Sequence, residues 1–136
     1  MTMLEGIRIV DLSSVVFGPY ATQMLADMGA DVIKVEPPTG EVSRYIGRRA
    51  KTPGMGSNHM TLNRGKRSIV LDLKQPDDAA TMRKLIGTGD VFVHNIRAKA
   101  IEKLGLGYDA VRAIKPDIIY VHFTGFGQDG PYRDLQ

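Results

Sequence analysis

The chain of 136 residues contains no cysteine. Disulfide bonds, thiolate metal ligands and a cysteine nucleophile are therefore excluded, and a reducing cytoplasm is the compartment we expect. No stretch approaches the roughly 18 apolar residues that a membrane-spanning helix needs. The first residues, MTMLEGIRIVDL, also lack the basic, apolar and small-residue regions of a secretory signal. We therefore expect a cytoplasmic protein that neither spans a membrane nor is secreted.

Several motifs of common catalytic sites are also missing. The histidines His59, His94 and His122 are far apart in the sequence and no HExxH motif is present, so no metal site is predicted. His94 and His122 fall on predicted strands, where buried imidazoles with satisfied hydrogen bonds are the favoured interpretation. No GxSxG elbow is present. The serines that follow the first strand are more typical of a turn than of a hydrolase nucleophile.

Charge of one sign is only slightly in excess. Eighteen basic and 15 acidic residues give a net charge of +3, and the two signs are mostly interspersed. This balance suits a phosphate-bearing small molecule better than a nucleic acid, which we do not expect as a partner. Basic residues flank the third predicted strand and follow the fourth: Arg64, Lys66, Arg67, Lys74, Arg97, Lys99 and Lys103. They could bind phosphates, or simply form a solvated face.

Strands and helices alternate along the chain. Strands are predicted at residues 8–12, 31–36, 67–73, 90–94 and 117–123, the last being the most buried in appearance. Helices are predicted from Gly18 to Gly29, with apolar residues at helical spacing (Tyr20, Met24, Leu25 and Met28), and at residues 77–86, 98–104 and 108–114. Ala100, Ile101 and Leu104 are expected to face inward. The chain is thus one α/β domain over residues 1–136, a Rossmann-like, mainly parallel sheet with flanking helices.

Two other segments are singled out. Residues 39–57 are too long for an ordinary connection, so they are either functional or mobile. Residues 125–130 match GxGxxG, but a dinucleotide fingerprint needs a helix opening from the glycines, whereas Pro131 follows here. A tight glycine turn at the carboxyl edge of the sheet, where such folds bind ligands, is the favoured interpretation.

Six phrases occur in order along nearly the whole chain: LEGIRIVDLS, FGPYATQMLADMGADVIKVEPP, NRGKRSIVLDLK, DVFVHN, EKLGLGY and IIYVHFTGFGQDGPY. Together they resemble the N-terminal part of the class III CoA-transferases, the CaiB/BaiF family that includes formyl-CoA transferase and carnitine CoA-transferase. The resemblance implies CoA-dependent acyl exchange between an acyl-CoA and a carboxylic acid acceptor. It also implies a Rossmann-like large domain and an interlocked homodimer.

The resemblance also implies positions for the bound CoA. Leu71 and Lys74 after the third strand, with Asn95, Ile96 and Lys103 after the fourth, would lie near the adenosine and phosphate groups. Lys103 stands where some members have arginine, which keeps the charge but loses the bidentate geometry. Pro37 replaces a basic CoA contact of some members, and Arg44 is a candidate to take its place.

The turn after the first strand matches the family's segment near the thioester and pantetheine. Ser14, Val16 and Phe17 are its candidate contacts. Formyl-CoA transferase has polar groups here, so Val16 and Phe17 imply a less polar acyl neighbourhood in this chain.

The family's catalytic aspartate has no counterpart in this chain, because by the family's pattern it lies beyond Gln136. No catalytic residue is therefore assigned, and we expect an incomplete fold that binds CoA but is inactive alone. An alternative is the N-terminal part of an α-methylacyl-CoA racemase, whose acid–base histidine would follow Gln136 directly. A third interpretation is a non-catalytic CoA-binding or dimerisation module.

Overall fold

A computed structural model describes residues 2–48 and 50–132 of the chain. Its centre is a sheet of five strands: β1 (Arg8–Leu12), β2 (Asp31–Glu36), β3 (Arg67–Val70), β4 (Val91–His94) and β5 (Ile119–His122). The spatial order is β3-β2-β1-β4-β5, and every neighbouring pair is parallel. This order corresponds to the first five strands of the doubly wound 3-2-1-4-5-6 sheet. The predicted parallel α/β class is confirmed.

Five helices are described: α1 (Phe17–Asp27), α2 (Ser57–Leu62), α3 (Pro76–Gly87), α4 (Ala98–Lys103) and α5 (Tyr108–Ile114). A short 3₁₀ helix spans Val42–Tyr45. Pro76 in the first turn of α3 gives up no helical hydrogen bond, and Asp77 and Asp78 lie at the positive end of the helix dipole. Within residues 2–48 and 50–132, no helix is both long and apolar enough to cross a membrane.

One face of the sheet carries the main apolar core. Val10, Val35 and Phe92 point from β1, β2 and β4 towards α3, α4 and α5. These helices contribute Met82, Ile86, Ile101 and Val111, all nearly inaccessible to solvent. Packing of this kind drives folding through the area removed from water, about 25 cal/mol per Å² of apolar surface.

The opposite face has a mixed character. Alternate residues of the same strands, Ile9, Val32 and Val93, form a smaller apolar cluster with Leu25 and Ala26 of α1. Towards the carboxyl ends of the strands the inward residues become charged: Asp11, Lys34 and Glu36 are each at most 2% exposed. This face is therefore apolar near the start of the strands and ionic near their ends.

Several expectations from the sequence are wrong in detail. The last strand is not the most buried, because β5 pairs only with β4 at the sheet edge and its Ile119 is 60% exposed. Tyr20 and Met24 of α1, and Met28 directly after it, face solvent, since the side packed on the sheet is formed by Gly18, Pro19, Thr22 and Gln23 with Leu25 and Ala26. Ala100 of α4 is exposed as well.

The chain between β2 and β3 is more ordered than expected. The predicted loop at residues 39–57 contains the 3₁₀ helix Val42–Tyr45 and leads into α2, which the apolar pattern did not reveal. Gly56, at the start of α2, lies against the Arg44 and Ile46 carbonyl oxygens so closely that an added Cβ would sit 2.7 and 2.8 Å from them. The predicted third strand ends at Val70 rather than residue 73.

Candidate functional site

The turn between β1 and α1 lies at the carboxyl edge of the sheet, beside the end of β4. Asn95, directly after β4, accepts a hydrogen bond from Ser14 N–H (2.9 Å) and donates one to the Ser14 carbonyl oxygen (2.9 Å). Gly18 lets α1 approach this turn, because a Cβ there would lie 2.2 Å from the Ser13 Cβ. The two predicted site residues Ser14 and Asn95 are therefore brought into direct contact.

A buried aspartate supports the turn from below. Asp11 is fully buried and accepts hydrogen bonds from Ser13 N–H (2.9 Å), from the Thr22 hydroxyl (2.6 Å) and from Lys66 Nζ (3.0 Å). Burial raises its pKa, but Lys34, Lys66 and the neighbouring hydroxyls outweigh this effect and hold the pKa of Asp11 below its ordinary value. The carboxylate is therefore charged at neutral pH.

The ammonium groups of two lysines donate hydrogen bonds to other groups of the protein. Lys34 is 1% exposed and donates to the Ser13 carbonyl oxygen (2.8 Å). Lys66 donates to Asp11, to the Pro19 carbonyl oxygen (2.9 Å) and to Asn63 Oδ1 (3.0 Å). The backbone of the turn is thus fixed by side chains from β1, β2, the residue after β4 and the segment before β3.

Glu36, at the end of β2, forms a second buried pair. Arg44 donates to both of its carboxylate oxygens at 2.6 Å, and the Ser68 hydroxyl adds a third bond at 2.8 Å. Burial opposes ionisation, but these donors lower the pKa of Glu36 to about 2. Arg44 also donates to the Gly54 carbonyl oxygen. Its guanidinium is used within the protein, so Arg44 is poorly placed for the CoA contact suggested from the sequence.

His94 and His122 stack on each other at the end of β4 and β5, with ring centroids 4.1 Å apart. His94 contacts the Tyr120 hydroxyl at 2.6 Å and accepts from Ile96 N–H, while His122 contacts the Ile96 carbonyl oxygen (2.8 Å) and Gln128 (2.7 Å). Burial, with a smaller effect from His122, lowers the pKa of His94 to about 4. Both rings have hydrogen-bond partners, but the prediction of buried imidazoles is confirmed for His94 only, because His122 is half-buried and lines the adjacent cavity.

A cavity of about 680 Å³ opens at the carboxyl ends of β4 and β5. Its walls include three predicted site residues, Asn95, Ile96 and Lys103, and the glycine-containing loop at residues 123–128. Arg97, Lys99 and Lys103 bring three positive charges to it. Gly127 has a φ of 82°, as expected for a glycine turn. The cavity therefore combines a polar amide, basic groups and apolar surface.

The remaining predicted residues lie elsewhere along the same edge. Val16 and Phe17 are 49% and 81% exposed on the turn after β1. Leu71 packs into the apolar core at 5% exposure, and Lys74 is exposed beyond β3. Because β2 and β1 separate β3 from β4, these last two residues are not brought into the cavity. They remain predicted contacts.

Sequence reasoning missed the buried ionic residues Asp11, Lys34, Glu36 and Glu41. A signal for two of them was present in the β2 sequence DVIKVE. Lys34 and Glu36 lie two and four positions after Val32, so all three side chains point to the same face of the strand. No local pattern marks Glu41, whose contact with Val15 joins segments that are 26 positions apart. Among the described residues, no three histidine or carboxylate side chains group as metal ligands.

Comparison with known proteins gives a consistent picture. The family model described as CoA-transferase family III matches residues 4–136. The succinate–glutarate CoA-transferase of Agrobacterium fabrum is 49% identical over 97% of this chain, and the formyl-CoA:oxalate CoA-transferase of Streptomyces avermitilis is 43% identical over 98%. A crystal structure of a CaiB/BaiF family protein from Brucella suis superposes with a TM-score of 0.91 at 37% identity over 98% of the chain. The chain spans only 34%, 32% and 36% of these three proteins.

Proposed function

The chain belongs to CoA-transferase family III, and we propose that it supplies the N-terminal, CoA-binding part of an acyl-CoA:carboxylate CoA-transferase. The observation that carries this proposal is the cavity at the ends of β4 and β5, where Asn95, Ile96 and Lys103 lie together. These are residues that the family resemblance assigns to CoA. Positive charges beside an apolar wall suit a ligand that combines phosphates with an adenine ring.

The rest of the site fits an extended ligand. The turn after β1 and the residues after β3 and β4 all lie at the carboxyl edge of one parallel sheet, where this class of fold binds ligands. In the proposed arrangement Lys103 and Lys74 bind phosphate groups, and Ser14, Val16 and Phe17 border the thioester. Phe17 is mostly exposed, so it can contact an acyl group or another segment of the protein.

The chemical step that we propose uses a carboxylate outside this chain. That carboxylate attacks the thioester carbonyl, the carbon–sulfur bond breaks, and CoA leaves as a thiolate. The thiolate then attacks the enzyme-derived carbonyl of the mixed anhydride, which releases the donor acid and leaves an aspartyl-CoA thioester. The acceptor carboxylate attacks this thioester and expels the thiolate, and the thiolate attacks the acyl carbonyl of the new anhydride, which forms the new acyl-CoA and frees the enzyme carboxylate. This chain would contribute the residues that bind CoA and the turn beside the thioester. We also propose that the protein assembles as an interlocked homodimer and is located in the cytoplasm.

Calorimetric titration with CoA tests the binding claim. Lys103→Ala and Lys74→Ala should each weaken binding about tenfold, as expected for loss of one charge-assisted contact. Lys84→Ala is the matched control, because this exposed lysine lies in the last turn of α3, at the opposite edge of the sheet. Absence of CoA binding in a sample that unfolds cooperatively would overturn the proposal.

The transfer claim needs the longer polypeptide that we propose this chain to begin. The activity named for the 49% identical relative makes succinyl-CoA and glutarate the first pair to try, with thioesters separated by chromatography. Formation of glutaryl-CoA is the expected result. Racemisation of a 2-methylacyl-CoA without any CoA exchange would instead favour the racemase.

A further inference from the structure

Val15 has an unusual backbone conformation within the β1–α1 turn. Its φ is 71°, and among residues 2–48 and 50–132 it is the sole non-glycine residue with a positive φ. A β-branched residue in this region is a genuine outlier, because its Cβ crowds the neighbouring backbone. Such a conformation persists only where surrounding contacts impose it.

Glu41 provides one of these contacts from a distant segment. Val15 N–H donates to Glu41 Oε1 at 2.8 Å, and the glutamate is 4% exposed. Its second oxygen accepts a hydrogen bond from the Ser43 hydroxyl. Its own backbone N–H donates to Glu36 Oε2 (3.1 Å), so the Glu36–Arg44 pair fixes the position of Glu41.

The peptide group between Ser14 and Val15 is held at both ends. Glu41 accepts its N–H, and Asn95 Nδ2 donates to its carbonyl oxygen. Rotation of this peptide plane would break both bonds, so the two side chains set its orientation together. Asn95 also lines the cavity. Glu41 is thereby connected to the proposed CoA site through one peptide group, although it does not line the cavity itself.

We propose that Glu41 is a positioning residue, which holds the Ser14–Val15 peptide group and through it the Asn95 amide in the orientation that binds CoA. This inference rests on the proposed function, because it assigns Glu41 a role in the same site. It also gives the long segment after β2 a purpose, since that segment carries Glu41 to the turn.

Calorimetric titration of the whole chain with CoA, on four variants, tests the assignment. Glu41→Ala should weaken CoA binding about fivefold to tenfold, the size expected for loss of one hydrogen bond that orders a contact. Glu41→Gln keeps an oxygen for Val15 N–H and should stay within about threefold of the original chain. Adding Val15→Gly to Glu41→Ala should restore affinity, because glycine adopts a positive φ without strain. Val42→Ala, an exposed neighbour, is the matched control.

A second measurement reports on the conformation of the β1–α1 turn in the absence of CoA. Hydrogen exchange of the Val15 amide should accelerate at least about tenfold in Glu41→Ala and remain slow in Glu41→Gln. If Glu41→Ala does not fold, Glu41→Asp takes its place, since its shorter side chain keeps the charge but cannot reach Val15 N–H. A general loss of stability would lower the folded fraction without changing the affinity of the folded molecules.

The outcomes separate this inference from the proposed function. Unchanged CoA affinity in Glu41→Ala, or failure of Val15→Gly to restore a weakened affinity, overturns the positioning role while CoA binding stands. Absence of CoA binding in the original chain overturns the proposed function, and the positioning role with it.

Discussion

The two faces of the sheet are built on different principles. The face towards α3, α4 and α5 is filled with aliphatic and aromatic side chains, among them Val10, Met82 and Phe92. The face towards α1 and α2 places Asp11, Lys34 and Glu36 at its carboxyl half, each buried and hydrogen-bonded. Both faces come from the same strands, because successive side chains point to opposite sides.

The difference shows where the fold depends on the volume of the side chains and where it depends on their chemical identity. An apolar core needs the correct volume and tolerates similar hydrophobic residues. A buried ionic network needs each donor and acceptor, since removal of one partner leaves another charge uncompensated. The ionic half lies under the β1–α1 turn, so the costly interactions are concentrated beneath the candidate site.

The largest expected effect comes from near-isosteric changes made on each face. Asp11→Asn should cost about 3–5 kcal/mol of unfolding free energy, because it removes the carboxylate charge nearest to the buried Lys34 and Lys66 and turns an amide NH₂ towards existing donors. Met82→Leu on the other face should cost less than about 1.5 kcal/mol. Urea denaturation at pH 7 measures both. Equal losses would contradict the distinction between the faces.

Acidification should affect the two faces in different pH ranges. The folded pKa of His94 is about 4 against an ordinary value of 6.5, so the unfolded chain takes up the proton first. The contribution of neutral His94 to the free energy of unfolding is complete above pH 6.5 and is lost as the pH falls to 4. This loss amounts to about 3 kcal/mol at most. Glu36, with a pKa of about 2 against 4.5, acts in the same direction between pH 4.5 and 2.

Denaturation midpoints collected from pH 7.5 to 3 separate these two effects. His94→Asn should reduce the decline between pH 6.5 and 4, and should leave the part that comes from His59, whose pKa burial also lowers, together with the decline below pH 4.5. A variant that keeps the full slope above pH 4.5 would show that His94 is not its source.

The smallest effects are expected from adding one methyl group on each face of the sheet. Gly18→Ala, next to the ionic network, should destabilise by about 1–3 kcal/mol, because its Cβ would overlap the Ser13 side chain. Gly87→Ala, at the end of α3, meets nothing closer than Ile114 Cγ2 at 3.7 Å and should stabilise by about 0.5–1 kcal/mol. Thermal unfolding of the two variants would disprove the steric argument if both shifted the midpoint in the same direction.

The sequence predicted much of the fold because the strand and turn signals are local. The bounds of β1, β2 and α5 agree with the structure, and Gly29, with a φ of 100°, follows the C-terminal end of α1 as expected. The prediction for α1 failed on orientation. Of the apolar positions Tyr20, Met24, Leu25 and Met28, Leu25 packs on the sheet and the other three face solvent. The Thr22 hydroxyl packs inward because it bonds to buried Asp11.

The candidate site was predicted in part. Asn95, Ile96 and Lys103 are close in sequence and follow one strand, so the cavity brings them together as expected. Leu71 and Lys74 follow β3, which is separated from β4 by two strands, and local sequence does not give that separation. The histidines appeared unrelated because 28 positions separate them in the sequence, yet β4–β5 pairing aligns His94 with His122.

The sequence by itself determined the alternation of strands and helices and the edge of the sheet where the candidate site residues gather, because periodicity, glycine and proline act through neighbouring residues. Only the tertiary structure decided which charges are buried together. Asp11 meets Lys66 across 55 positions, and Val15 meets Glu41 across 26. Such pairs depend on strand order and on how the segment after β2 folds back, and the cost of burying an unpaired charge then makes each partner necessary.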